Sequence, residues 1–176
     1  MLFVVTAYVA LSSTQSPLFR VAAGLFSAAA LLGALRFSGV YAVEAPHRLI
    51  SMIAGVAAFP AMAISVWFTQ WRVIREWRAS ILMISVLAIL GALIVMSTGS
   101  RLYLDACAVL SVSGVAYACS SQSFRLGVIS AVIMLVGLLC FAAKISPVTA
   151  LQPADILHLA LAAGWLGLSR RLVKDG

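Results

Sequence analysis

Long apolar stretches follow one another along this chain, with only short polar breaks between them. A helix that crosses a bilayer needs about 20 mostly apolar residues, and the chain meets that requirement again and again. Soluble domains are roughly 45–50% apolar, whereas 64% of these 176 residues are hydrophobic and only 10% are charged. A water-soluble fold has no interior large enough to hide that surface. Strands of a membrane barrel would alternate apolar and polar residues in segments of about ten; the runs here are continuous, so helices are expected. The expected fold is an all-α integral membrane protein, a compact bundle of seven or six transmembrane helices forming one domain over residues 1–176.

The first run, Leu2 to about Leu11, passes into Ser12-Ser13-Thr14-Gln15-Ser16 and spans only if those side chains sit at the interface or face other helices. No basic residue precedes Leu2-Phe3-Val4, which argues against a secretory signal. The further spans are expected at Pro17 to Val40, His47 to Trp71, Ala79 to Met96, Arg101 to Cys119, Phe124 to Ala143 and Pro153 to Val173. Pro46, Ser97-Thr98-Gly99-Ser100, Ser120-Ser121-Gln122-Ser123 and Pro147 through Pro153 supply the turn and cap chemistry between them. Loops this short make neighbouring helices antiparallel.

Alternation assigns each connection to the C-terminal side or the opposite side. Arg20, Arg72, Arg75, Arg78, Arg125, Arg170, Arg171 and Lys174 fall on the C-terminal side, and only Arg36, Arg48, Arg101 and Lys144 on the other. Cytoplasmic loops carry the excess of Lys and Arg, so a multi-pass protein of a cell membrane with a cytoplasmic C-terminus is expected. The net charge of +7 then reflects topology, and no nucleic-acid partner is expected. Trp67, Trp71 and Trp77 cluster with Arg72, Arg75 and Arg78 as interfacial anchors do, which predicts contact with the lipid bilayer and with anionic lipid at the cytoplasmic face. Small residues recur at four-residue spacing, as in Ala29/Gly33, Gly127/Ala131 and Ala160/Gly164, and allow helix backbones to approach closely. Such faces serve packing within the bundle or docking of a membrane protein partner. Cys107, Cys119 and Cys140 make no CxxC pair and read as packing residues.

Candidate chemistry gathers on the opposite, exoplasmic side. His47 opens the third span, Asp105 lies one turn into the fifth, and Asp155 and His158 share a face of the seventh, three residues apart. Ionisable groups at membrane depth are costly and mark functional sites by default. His47, Asp105 and His158, from three helices, would make the three protein ligands of a zinc ion with an open position for water, and with Asp155 they form the candidate catalytic set. The same residues would also serve as a proton relay, and facing imidazoles of His47 and His158 would suit a haem. Ordinary roles compete: Asp155 after Pro153 complements a helix start, Asp105 pairs with Arg101 four residues earlier, and His47 is a wet interfacial imidazole. No GxSxG elbow is present, and Ser51, one turn after His47, more commonly bonds a helix carbonyl.

The pattern of His47, then Asp105, then Asp155-Ile156-Leu157-His158 in a seven-helix chain resembles the CREST superfamily of membrane hydrolases, which includes the alkaline ceramidases and adiponectin-receptor-like proteins. The resemblance implies zinc held by three histidines, two of them in HxxxH on the final helix; Ala162 stands where the second would fall. Three functions follow as expectations: a protein with an exoplasmic polar or metal site acting as a metal-dependent lipid hydrolase, an accessory or scaffold subunit of a membrane complex with no catalytic role, and a small transporter. The middles of most spans lack ionisable groups, which disfavours transport of charged substrates.

Overall fold

The computed structural model describes residues 1–12, 14–147 and 151–170, apart from the side chains of Arg72 and Val73. Ser13, Arg171, Val173 and Lys174, which entered the first and last spans and the charge count, lie outside the described residues. The described residues form seven helices: α1 Leu2–Leu11, α2 Pro17–Phe37, α3 Tyr41–Trp67, α4 Trp77–Thr98, α5 Leu102–Ser121, α6 Arg125–Ala142 and α7 Pro153–Ser169. A single helical turn, Arg72–Arg75, joins α3 to α4. Five of them, α2 through α6, are long and apolar enough to cross a membrane. At 10 residues, α1 is about 15 Å long, half the thickness of a bilayer core.

Helix boundaries follow local chemistry. The Ser16 hydroxyl accepts from Phe19 N–H at 3.4 Å and Pro17 occupies the first turn, where its missing N–H costs nothing. Gly99 closes α4 in the left-handed region (φ 61°), its N–H bonded to Val95 O at 2.9 Å. One boundary departs from the sequence expectation. Pro46 does not precede α3; the helix begins at Tyr41 with a 3₁₀ turn, and Pro46 falls in the first α turn, where a residue without an N–H gives up no bond within the helix.

Six helices close a ring in the order α1, α2, α3, α5, α6, α7, and α4 lies outside it against α2 and the middle of α3. The ring interior is aromatic: Trp165 of α7 meets Phe19 and Phe26 of α2 at centroid distances of 4.7 and 5.5 Å, and Phe26 meets Phe59 of α3 at 4.8 Å. Between α6 and α7 the small residues act as expected of packing: Gly137 faces Ala160, and Gly164 admits the Met134 side chain. The cysteines are free thiols, with Cys119 buried.

Halfway along α3 the backbone widens into a π turn, Ala54–Ala58, with Phe59 N–H reaching Ala54 O five residues back. Pro60 explains it. A proline ring clashes with the carbonyl four residues earlier, and the wider turn relieves that clash without ending the helix. The widened segment is also a close crossing, because α4 seats Gly91 directly on Val56 and a Cβ there would collide with it. Elsewhere α4 is bare: Ile81, Leu82, Ile89, Leu90 and Leu93 are all more than half exposed. Although consecutive, α4 and α5 barely touch.

Candidate functional site

The acidic residues of the opposite side each sit at a helix start. Glu44 is in the first α turn of α3, Asp105 in that of α5 and Asp155 in that of α7. Alternating helices place the N-termini of α3, α5 and α7 at one end, and carboxylates are stabilised at helix N-termini. The gathering of acids there is thus a consequence of antiparallel order. Asp155 completes a capping box, its Oδ2 accepting from Gln152 N–H at 3.0 Å while the Gln152 side chain accepts from the backbone of Asp155. That carboxylate is therefore engaged in holding the start of α7.

Glu44 pairs with Arg36 at 3.3 Å and with Arg48 at 2.5 Å. The first bond ties the C-terminal turn of α2 to the first turn of α3, each charge complementing its own helix end. His47 stands beside this trio, more than a turn inside α3 rather than at its opening. Its ring packs over Gly33 of α2, where a Cβ would stand 3.1 Å from Nε2, and its buried Nδ1 has no described hydrogen-bond partner. The imidazole expected to be wet is therefore half-buried over Gly33, where a Cβ would crowd the ring.

His158 is exposed on α7, with Asp155, the Met1 amino group and His47 within electrostatic reach. Asp105 is exposed on α5, and the expected ion pair with Arg101 does not form among the described residues. No group of three or more His, Cys, Asp and Glu among the described residues stands close enough to hold a metal ion. His47 lies within electrostatic reach of His158, while among the described residues His47, Asp105 and His158 are not gathered into one group of three potential ligands; Asp155 caps α7 and Asp105 is exposed on α5.

The C-terminal end is built from aromatic and cationic groups. Phe68 stacks on Trp71 at 3.9 Å and Trp67 on Tyr117 at 5.5 Å, while Trp67 Nε1 donates to Gly114 O at 2.8 Å. Trp77 takes its cation from α2: the Arg20 guanidinium lies 4.8 Å from its ring, and Arg20 Nε donates to Ala10 O in the last turn of α1 at 2.9 Å. Two buried polar side chains went unnoticed in the sequence. Trp165 Nε1 is fully buried without a partner in the ring interior, and Gln15, 5% exposed, donates from Nε2 to Ser169 O at 2.7 Å while its Oε1 has no described partner. Only the place of Gln15 within a hydroxyl-rich break gave a signal.

The chain matches no family model, no curated protein and no solved structure.

Proposed function

We propose that this is a multi-pass integral membrane protein of a cell membrane, with its C-terminal side cytoplasmic, and that it serves as an accessory or scaffold subunit of a membrane complex without a catalytic role of its own. The observation that carries the reading is the employment of the acids. Glu44 and Asp155 are engaged in ion pairs and a cap, Asp105 is exposed, and among the described residues no three-ligand group stands at the end where chemistry was expected. The metallohydrolase that the CREST likeness implies would need a third zinc ligand beside His47 and His158.

The bare face of α4 supports the accessory role. It is the most peripheral long helix, anchored by Gly91 on the π turn and open along its length, and between α4 and α5 lies a cleft of about 400 Å³ walled by Ile94, Leu102 and Tyr103. A partner's transmembrane helix would lie along the exposed face of Ile81, Leu82, Ile89, Leu90 and Leu93. The test is photo-crosslinking in native membranes from a benzophenone side chain placed at Ile89 or Leu93, with metal content measured on the same purified protein. A protein adduct of one defined mass and no stoichiometric metal are expected. Adducts to lipid alone, or zinc that is lost in the His47→Ala/His158→Ala double substitution, would overturn the proposal.

A further inference from the structure

The three consecutive spans α4, α5 and α6 differ in what they expose. Between Ile81 and Met96 on α4, and between Leu126 and Leu139 on α6, every exposed residue is apolar. On α5 the exposed residues include Asp105, Ser113 and Tyr117. Asp105 is in the first turn and Tyr117 is one turn from the end, so both reach an interface. Ser113 has no such outlet, because about 12 Å of helix separates it from Ser121, the nearer end. The buried hydroxyls of Thr6, Ser65 and Ser130 each donate to the carbonyl four residues back, whereas Ser113 has no hydrogen bond among the described residues.

The cleft between α4 and α5 fixes where this hydroxyl stands. Ala106 lines that cleft, and Ser113, one heptad further along α5, shares its face. The two helices are joined by the short turn at residues 99–101 and yet barely touch, so a helix lying along α4 on the cleft side has the outer face of α5 as its second wall. At this depth lipid tails offer neither donor nor acceptor, whereas polar side chains of a neighbouring helix offer both. We infer that the partner helix of the proposed accessory role seats between α4 and α5 and carries a serine, threonine, asparagine or glutamine at mid-membrane depth, hydrogen-bonded to Ser113. Ile94 of α4 and Leu110 of α5, both exposed, give the apolar contact on either side of that bond.

The inference rests on the accessory role and fails separately from it. Benzophenone side chains are placed one at a time at Ile89 of α4, Leu110 of α5 and Val132 of α6 in the full chain and crosslinked in native membranes. Ile89 and Leu110 are expected to give a protein adduct of the same mass, and Val132 adducts to lipid only. Ser113→Ala, at an exposed position where the loss of a hydroxyl leaves the helix intact, is expected to lower the yield of the Ile89 adduct about threefold, and Ser113→Thr to restore it. A protein adduct at Ile89 with lipid alone at Leu110 would overturn the inference and leave the accessory role standing; lipid alone at both positions would remove both. The same protein adduct at Val132, an adduct of twice the chain's own mass, which would assign the face to a second copy, or a Ser113→Ala variant that crosslinks as the wild-type chain does would each overturn the assignment.

Discussion

At the end of the bundle where α3, α5 and α7 begin, Glu44, Asp105 and Asp155 occupy the first turns; at the end where α2, α4 and α6 begin, Arg20, Arg78 and Arg125 do. The first arrangement is what helix electrostatics favours. The second opposes it, at a cost of about 0.3–1 kcal/mol for each unscreened cation. Something other than the helices selects positive charge at the C-terminal end. For Arg20 part of the compensation is visible, because its guanidinium is shared between the Trp77 ring and the carbonyl end of α1. For the others, the proposed cytoplasmic membrane surface supplies the reason, since anionic headgroups and the topology bias both favour Lys and Arg there.

The largest effect should come from erasing that bias. Replacing Arg20, Arg75, Arg78 and Arg125 with Gln leaves four Lys and Arg residues on each side, and a mixture of orientations is expected, read by protease accessibility of a C-terminal tag in sealed vesicles. A single retained orientation would show that the two ends do not differ in the way proposed. Next comes Arg20→Ala, which removes a charge-assisted hydrogen bond and a cation–π contact; a loss of about 2 kcal/mol is expected in detergent unfolding. A double-mutant cycle with Trp77→Leu should recover part of it as coupling, and strict additivity would remove the shared guanidinium from the account.

The smallest effects belong to the acids. Asp155→Ala should cost about 1 kcal/mol through the lost cap and raise hydrogen exchange in the first turn of α7. Asp105→Asn, with only the helix dipole to lose, should cost about 0.5 kcal/mol or less and fade with added salt. Equal costs for the two substitutions would mean that Asp105 has a partner of its own, and would reopen the question of a site at that end.

Helix number, order and most boundaries were legible because each rests on local signals: apolar length, Pro17 and Pro153 at helix starts, Gly99 at a helix end. The role of Asp155 was also legible, since a carboxylate two residues after a proline in a helix start has one dominant use. What could not be read was lateral arrangement. The distance between Asp105 and the two histidines depends on how α5 is placed around the ring, and periodicity in the sequence carries no information about that. Pro46 misled for a related reason: a proline ends a preceding helix and also tolerates a first turn, and which applies to α3 was decided by the 3₁₀ start at Tyr41. The burial of Gln15 needed the pairing of α1 with α7, two segments at opposite ends of the chain.

The π turn at Ala54–Ala58 makes α3 a helix with two phases. One residue more than an α register requires is stored there, and one residue in an α-helix corresponds to a rotation of about 100°. His47, on the near side of the turn, and Trp67, on the far side, therefore hold a relative azimuth that an uninterrupted helix of the same length would not give them. Inserting a further alanine into this segment would act as a phase error: with Trp67 held against Gly114, the imidazole would swing off Gly33, whereas deleting one removes the stored residue and leaves the two ends in phase. An insertion that a loop would absorb silently is, at this point in the chain, a signal sent from one end of the bundle to the other.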